Sequence, residues 1–587
     1  MMASPDNVVR NVGSHAKYNT ARHSLGILRA VIVTCRYRTS AAHLRRQSLL
    51  SLHDAVENAV AAVVLEQAML RVGIVGEDTR EPAFVHLKTI DMRRMIEWKP
   101  LGAPTAPAPP SARAGTDGRE EEEGQGGETD GEDEEEARYE DRLLRSLERY
   151  HGDLWDDLAS KPGWKVVVHH DPRQLDALGP GHEDDDDDAQ LSLDVSFCFH
   201  HAYSDGLGGY IFHGALRRAL NDPPSRPAAA LLLQDHVLHL PTPPALPPAM
   251  DALVPFSLSW AFVLRTVWAE ILHPTLRRLL RVAPPTTAAL PWTGGPVDPS
   301  SSSSGAGGTR IRVVCDADGP ALARILARCR ARGASLTGLL HALVARSLGR
   351  AVLLPGGSGS GSGEASGFRS TTPISLARCA RADHPAFAPG ETIHCLVTAL
   401  TCDHDAEAVR RLLLRRHDDD DTRGGISAQE DDDDEAVWAF ARDMTTRLRA
   451  RTAELPRDDV QGLAGLVGDW HAFFRARFGR ARESSWELSN LGSLTADDED
   501  DGIRDQGRNQ GQKRERERDE GQRWTVDRAV FTQGSNATSA AICFNVAGVA
   551  GRGVCVTASW QDGVVDVSIV EAVVRELRAC ITKLGEA

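Results

Sequence analysis

The feature that most restricts the fold of this chain lies in residues 191–220, where a strand pattern changes into a helix pattern. In residues 191–199 every second residue is apolar, which is the period of a strand with one buried face. In residues 207–220 the apolar positions return to the spacing of an amphipathic helix. Strand and helix patterns alternate in this way along much of the chain, so the sequence predicts a mixed α/β fold.

The remaining elements are predicted from the same two periods. The predicted helices span residues 48–70, 143–158, 321–329, 336–348 and 569–584, with Ser335 or Thr337 as a cap of the fourth, and the predicted strands span residues 165–170, 311–314, 395–401, 540–546 and 553–560. Residues 252–274 are apolar but contain Arg265 and Glu270. This favours a buried core helix over a membrane span, with a surface amphipathic helix as the alternative.

Segments of low complexity interrupt the chain. Acidic, polar or Ser/Gly-rich runs near residues 104–138, 183–188, 355–367, 418–435 and 497–522 bury too little apolar surface to offset chain entropy. We expect surface insertions there, with a role as acidic interaction tails as the alternative. A Ser/Gly linker near residue 300 separates two structural units, so the predicted domains are residues 1–300 and 301–587.

Charge and cysteine usage argue against several classes of function. The formal net charge of −16 argues against nucleic acid as a partner. The ten cysteines include no C-x-x-C pair, so neither a zinc ribbon nor a dithiol site is predicted, and no metal is expected. The N-terminus has no apolar signal core, which predicts a cytoplasmic protein. No transmembrane segment is predicted, whereas peripheral association with a membrane stays open.

The string HHAYSDG at residues 200–206 lies where a predicted strand ends and a predicted helix begins. Side chains at such a junction are held rigidly and can still face a cleft. A histidine there can act as a general base near neutral pH. Asp205 followed by Gly206 suits a tight turn that fixes the loop. An isolated H-x-x-x-D is more often a hydrogen-bonded turn, but the flanking strand and helix favour a catalytic loop.

The pattern His200-His201-x-x-x-Asp205-Gly206 resembles the HHxxxDG signature of the chloramphenicol-acetyltransferase-like superfamily. That superfamily includes condensation domains, plant acyltransferases and fungal alcohol acetyltransferases. Further strings resemble the fungal alcohol acetyltransferase family in particular. They are YNTARHSLG at 18–26, LRVGI at 70–74, EPAFV at 81–85, PGW at 162–164, WTGGP at 292–296, PISL at 373–376, SNLG at 489–492 and WQDGVVD at 560–566. The similarity runs from about residue 10 to residue 587, broken by the insertions.

This resemblance implies two lobes, each a mixed sheet flanked by helices, with a tunnel between them. It also implies direct acyl transfer from acyl-CoA, with acetyl-CoA as the expected donor. His201 corresponds to the family's base and His200 to a histidine packed against the loop. Asp205 corresponds to a structural aspartate that pairs with an arginine. Arg378 is the candidate partner, although one extra residue separates it from the PISL string.

An oxyanion forms during acyl transfer and needs hydrogen-bond donors. We expect these donors on the second lobe, facing His201 across the tunnel, in two polar strings that contain a glycine. Asn490 is predicted to line or support the tunnel, and Thr532 and Ser535 are the oxyanion candidates. Ordinary turns with capping side chains are the alternative for both strings.

Three functions stay open on the sequence alone. The first is acyl-CoA-dependent O-acylation of a small or lipid-like alcohol. The second is N-acetylation of amines such as sphingoid bases, which would use the same base. The third is a non-catalytic relative that only binds a ligand, and the joint presence of His201, Asp205 and Gly206 argues against it. A monomer is expected, and the acceptor depends on a tunnel shape that the sequence does not show.

Overall fold

The structure is a computed structural model. It describes residues 7–46, 51–101, 129–153, 155–176, 190–222, 232–266, 268, 291–298, 308–354, 367–413, 426–495, 523–534 and 537–586. The predicted insertions at 183–188 and 497–522 lie outside these residues. So do most of those near 104–138 and 355–367, and residues 418–425 of the one near 418–435. Residues 426–435 instead begin the helix Ile426–Glu454, so the expectation of an insertion is wrong for them.

The first lobe is built on a five-stranded sheet. Its strands lie in the order Thr525–Gln533, Val31–Ser40, Gln190–Phe199, Trp164–His170 and Ile96–Pro100. Neighbouring strands are antiparallel except for the last pair, which is parallel. The strand that leads into the histidine motif is therefore the central one.

The second lobe is built on a six-stranded mixed sheet. Its strands lie in the order Thr309–Asp318, Gly553–Gln561, Ala540–Val549, Ser484–Leu494, Gly367–Ser375 and Val397–Asp405. The strand Ser484–Leu494 is parallel to both of its neighbours, and the other three pairings are antiparallel. Two small three-stranded sheets add the strands Val8–Asn11, Ala83–His86, Val72–Val75, Thr89–Asp91, Val237–His239 and Leu233–Gln234.

Helices pack against both sheets and close two separate hydrophobic cores. They span Ser14–Ser24, Ala41–Arg46, Leu52–Glu66, Met92–Met95, Thr129–Gly152, Pro172–Asp176, Gly206–Asn221, Met250–Leu253, Trp260–Thr266, Gly319–Ala331, Leu336–Leu353, Ala406–Arg411, Ile426–Glu454, Trp470–Arg475 and Val567–Glu586. Ser335 caps its helix as expected, since its hydroxyl accepts the backbone N–H of Gly338. The mixed α/β fold with two lobes is confirmed.

The chain does not divide cleanly at residue 300. The strand Thr525–Gln533 belongs to the C-terminal half of the sequence, yet it pairs along its length with Val31–Ser40 of the first sheet. Trp524 and Phe531 accordingly lie in the core of the first lobe. Without this strand, one long edge of the first sheet would have unpaired backbone groups. The C-terminal half therefore completes the first lobe as well as forming the second.

The strand Gln190–Phe199 is buried on both faces, so the prediction of one buried face is wrong. Its apolar face packs in the first core, as the alternation predicts. The opposite face is covered by the helix Thr129–Gly152, whose Leu147 packs beside Cys198. That helix begins well before residue 143, inside the acidic run. Ion pairs of i,i+4 spacing, such as Glu134–Arg138, stabilise its solvent-exposed turns.

The prediction of a buried core helix at residues 252–274 is wrong for the described residues. The helix Trp260–Thr266 has no buried residue, and Trp260 is 83% exposed. Its start is fixed because Asp458 accepts hydrogen bonds from the backbone N–H and the hydroxyl of Ser259. Residues 267 and 269–274 lie outside the described residues.

One helix in the described part of the chain, Leu336–Leu353, is long and apolar enough to cross a membrane by length and composition. Most of it is buried within the protein. Leu340 and Leu343 pack in the second core. Core helices of soluble proteins meet the same criterion, so this helix is weak evidence for a membrane span.

Candidate active site

The loop 200–205 connects the central strand of the first sheet to the helix Gly206–Asn221. The strand ends at Phe199, and the backbone N–H of His200 then bonds to the carbonyl oxygen of Gly163. A side chain on Gly163 would lie 2.5 Å from the ring of Tyr203. The PGW string therefore contributes the close backbone contact on which the histidine loop rests.

His201 is held in one tautomer by its own loop. Its Nδ1 lies 2.9 Å from the carbonyl oxygen of Ser204, which can only accept a hydrogen bond. Nδ1 therefore carries the proton, and Nε2 has a free lone pair. Burial, with the charge of Arg22 and the ring of His15, lowers the pKa of His201 to about 3. The imidazole is thus neutral at physiological pH, as a general base must be.

Asp205 links the histidine loop to the second lobe through backbone groups. Its Oδ1 accepts the N–H of Gly208 at 3.0 Å and caps the helix that begins at Gly206. Its Oδ2 accepts the N–H of Leu396 at 2.9 Å, just before the second-lobe strand Val397–Asp405. Burial raises the pKa of Asp205, while these hydrogen bonds oppose the rise. Both oxygens of Asp205 are thus bonded to backbone groups, one in each lobe.

The expected ion pair between Asp205 and Arg378 is absent. Arg378 is exposed, and its guanidinium donates to the carbonyl oxygen of Thr452. The two oxygens of Asp205 are occupied by backbone N–H groups instead. Backbone donors satisfy a buried carboxylate without a buried cation, which explains why this chain needs no arginine there.

Gly206 allows the two lobes to approach closely. A Cβ at this position would lie 2.3 Å from Cδ2 of Leu491, in the SNLG string of the second lobe. Gly208 is similarly crowded, because its Cβ would lie 2.1 Å from Oγ of Ser204. Packing of the second lobe against the loop therefore leaves little room for a side chain at Gly206, unless Leu491 moves.

His200 is fully buried and forms a cluster with Glu77 and His23. Its Nε2 lies 2.7 Å from Oε1 of Glu77, and Nδ1 of His23 lies 2.8 Å from the same oxygen. Burial favours a higher pKa for Glu77, but the hydrogen bonds from the two histidines prevail and lower it to about 2. The carboxylate is therefore ionised and accepts two N–H bonds.

The protonation of this cluster does not suit a metal. Nδ1 of His200 accepts the backbone N–H of Ala202, and Nε2 of His23 accepts the backbone N–H of Trp155. The two ring nitrogens that face Glu77 must then carry the protons. A metal would need those nitrogens as unprotonated ligands. The cluster is better described as a hydrogen-bonded support for His200.

The first helix brings polar side chains to the other side of His201. His15, Asn19 and Arg22 are all buried on the helix Ser14–Ser24. Nε2 of His15 lies 3.3 Å from Sγ of Cys395, and that sulfur lies 3.5 Å from Nδ1 of His201. Cys395 therefore connects the first helix and the histidine loop.

The other predicted site residues lie in different surroundings. Thr532 is buried on the strand Thr525–Gln533 of the first sheet, and its hydroxyl lies 2.8 Å from Nε2 of His151. Its hydroxyl is thus used in a core hydrogen bond, which does not support an oxyanion role. Ser535 lies outside the described residues. Asn490 bonds to Thr337 and to the backbone N–H of Gly492.

Asn490 and Arg378 line the same cavity of about 550 Å³ in the second lobe. The cavity lies where the helix Leu336–Leu353 begins and includes Ser335, Thr337 and Arg449. Asn490 directly precedes Leu491, which packs on Gly206. Arg378 and Arg449 give the cavity a positively charged lining.

Comparisons with known proteins agree with this architecture. No protein-family model matches the chain. The chain is 26% identical over 584 residues to a probable alcohol acetyltransferase, FCK4, of Fusarium pseudograminearum, which covers 99% of this chain and 96% of that protein. The solved structure of the TRI3 trichothecene 15-O-acetyltransferase of Fusarium sporotrichioides has a TM-score of 0.56 at 13% identity, over 98% of this chain and 96% of that one.

Over nearly its whole length the chain is similar to the probable alcohol acetyltransferase FCK4. It is therefore an acyltransferase, and it shares the fold of two mixed sheets flanked by helices. A structure of polyketide synthase associated protein 5 from Mycobacterium tuberculosis is more distant, with a TM-score of 0.46 at 12% identity over 99% of each chain.

Sequence reasoning on this acyltransferase missed three residues beside the motif. Glu77 follows a strand without any local pattern, and Cys395 begins a predicted strand without any signal that marks its thiol. Arg22 lies within the YNTARHSLG string, but no role was assigned to it. The spacing of His15, Asn19 and Arg22 puts three polar side chains on one helical face. That polar face is the sequence signal that could have pointed to Arg22.

Proposed function

We propose that this acyltransferase moves an acyl group from acyl-CoA, with acetyl-CoA as the expected donor, to the hydroxyl of a small or lipid-like alcohol. The observation that carries the proposal is the geometry of His201. Its Nδ1–H is committed to Ser204, which leaves Nε2 as a neutral base. The names of the two relatives, which refer to an alcohol and to a 15-O position, favour oxygen over nitrogen as the accepting atom.

The reaction needs no covalent enzyme intermediate. Nε2 of His201 takes the proton of the acceptor hydroxyl while its oxygen attacks the thioester carbonyl carbon. The tetrahedral intermediate then collapses, the C–S bond breaks, and the CoA thiolate receives the proton from Nε2. Binding both substrates between the lobes makes this attack effectively unimolecular.

The second-lobe cavity suits the anionic end of the donor. Arg378 and Arg449 provide positive charge, and Ser335 and Thr337 provide hydroxyls at a helix N-terminus. Phosphate groups bind well to such a combination. Replacing Arg449 with Gln should therefore raise the KM for acetyl-CoA and leave kcat unchanged.

All ten cysteines of the chain are free thiols. Thiols persist in a reducing compartment. We propose on this basis that the protein acts in the cytoplasm.

The decisive experiment follows product formation by mass spectrometry, with acetyl-CoA and a panel of simple alcohols, terpenoid alcohols and sphingoid bases. The wild-type chain should acetylate at least one alcohol, and His201→Ala should lower kcat by about 100- to 10000-fold, the usual effect of a general base. His239→Ala, at an exposed histidine, is the matched control and should retain full activity. Wild-type-like turnover in folded His201→Ala would falsify the base assignment.

A further inference from the structure

Arg22 is a buried cation beside the proposed base. Only 6% of its surface is exposed, which is unusual for an arginine. Its Nη1 bonds to Asn19, whose amide contacts Sγ of Cys395, and that sulfur lies 3.5 Å from Nδ1 of His201. The charge of Arg22 also acts on Glu487 of the second sheet. Arg22 therefore lies between the lobes, close to the point where acyl transfer is proposed to occur.

The guanidinium of Arg22 is incompletely satisfied. Nη1 donates to Oδ1 of Asn19 at 3.1 Å, and the carbon of the guanidinium lies 5.0 Å from the centre of the Tyr18 ring. Its Nε is buried without a hydrogen-bond partner. Leaving a charged donor buried and unpaired costs free energy. Such a cost is expected where a donor is held ready for charge that appears only during the reaction.

The nearby carboxylate does not use the free donor in a hydrogen bond. Glu487 accepts bonds from Nε2 of Gln533 at 3.0 Å and from the hydroxyl of Ser539 at 3.1 Å. These two neighbours, of which Gln533 belongs to the first sheet, satisfy Glu487 without Arg22. Asn19 in turn holds Arg22, since the amide of Asn19 also contacts His15 and Cys395. The guanidinium is thus oriented by its own helix.

We propose that Arg22 binds the thioester carbonyl oxygen of the acyl donor and stabilises the oxyanion that forms there. This assignment rests on the proposed function and replaces the expected donors Thr532 and Ser535. As the acceptor oxygen bonds to the carbonyl carbon, its proton passes to Nε2 of His201 and the carbonyl electron pair moves onto the oxygen held by Arg22. When the C=O bond reforms, the C–S bond breaks, and Nε2 returns the proton to the CoA thiolate.

The test compares kcat and KM of wild type, Arg22→Gln and Arg22→Met at pH 8. His201 is neutral at this pH with or without the charge of Arg22, so its protonation does not differ between variants. Losing an oxyanion donor should lower kcat by about 100- to 1000-fold and change KM for either substrate by less than about threefold. Met keeps the packing of the Arg stem and removes the buried charge, so it provides a second variant if Gln unfolds the protein.

Arg346→Gln is the matched control, because Arg346 is also a buried arginine but pairs with Glu576 in the second lobe. It should keep kcat within about threefold of wild type. A folded Arg22 variant with wild-type kcat, or with only a raised KM, would overturn the oxyanion role. Absence of acyl transfer in the wild-type chain would instead overturn the proposed function, so the two failures are distinguishable.

Discussion

The carboxylate of Asp205 accepts the backbone N–H of Leu396 at 2.9 Å, across the boundary between the lobes. The same carboxylate caps the helix that follows the histidine loop. One side chain therefore sets the position of the base relative to both lobes. This is a positioning role, because Asp205 acts through the loop.

Asp205→Asn should lower both stability and turnover. An amide keeps one acceptor oxygen, but its NH₂ group must then face a backbone N–H that loses its partner. The expected cost is about 1–3 kcal/mol of unfolding free energy for one buried unsatisfied group. Thermal denaturation and kcat measured on the same preparation check this.

Asp318→Asn is the control for Asp205→Asn. Asp318 is exposed and caps the helix Gly319–Ala331 through one bond to Ala321. Asn caps a helix about as well as Asp, so the change should stay within about 0.5 kcal/mol. Loss of activity in Asp205→Asn without any change in Tm would instead make Asp205 a direct participant in the chemistry.

Glu77→Gln should lower kcat more mildly than His201→Ala. The neutral amide weakens two charge-assisted hydrogen bonds that hold His200 and His23. We expect a loss of about 1–2 kcal/mol in stability and roughly a tenfold loss in kcat. Glu81→Gln, which removes only an exposed ion pair with Lys17, should change neither quantity. Equal kcat values in Glu77→Gln and Glu81→Gln would show that the cluster does not support the catalytic loop.

The cluster of His23, Glu77 and His200 should bind no zinc. The ring nitrogens that face Glu77 are protonated, because their partner nitrogens accept backbone N–H groups. Equimolar zinc chloride and EDTA should therefore leave Tm and kcat of the wild-type enzyme unchanged. A rise in Tm with zinc that is lost in Glu77→Gln would show that the cluster is a metal site.

Gly206→Ala should be destabilising because its Cβ would overlap Leu491. Overpacking of this kind costs about 1–3 kcal/mol. Leu491→Ala makes room, so the double variant should be more stable than the sum of the two single effects predicts. The free energies of unfolding of wild type, the two single variants and the double variant form a double-mutant cycle. A purely additive result would mean that the two side chains do not compete for the same space.

Activity should persist at mildly acidic pH. The groups that face His201 are Arg22 and His15 of the first helix, Cys395 of the second lobe and the carbonyl oxygen of Ser204 in its own loop. Together with burial, Arg22 and His15 lower its pKa to about 3. The base is neutral above its pKa, so a lowered pKa extends activity towards lower pH.

The measurement is kcat/KM between pH 5.5 and 8, with circular dichroism to show that the fold persists. We expect a change of less than about twofold, whereas a base with an unshifted pKa would lose about tenfold at pH 5.5. An acid limb centred near pH 6.5 would contradict the geometry of His201. Arg22→Gln should move the acidic limb of the pH profile to higher pH, because the positive charge of Arg22 no longer lowers the pKa of His201.

Much of the secondary structure could be predicted from local periods. The strand before the motif, the helix after it and the strands near residues 165–170 and 553–560 agree with the alternation of apolar residues. The start of the helix Thr129–Gly152 was missed, because an acidic run resembles disordered sequence until ion pairs and packing are considered. The exposed helix Trp260–Thr266 was misplaced because apolar composition alone does not show which surface covers a helix.

The sequence by itself determined the mixed α/β class, the strand–loop–helix junction and the HHxxxDG loop, because these depend on residues that are neighbours in the chain. Only the tertiary structure decided the partner of Asp205, which lies 191 residues away. It also decided that the strand Thr525–Gln533 completes the first sheet and that Arg22 and Glu77 lie beside the two histidines. Such contacts depend on packing between distant segments, and no local period in a single sequence encodes which segments meet.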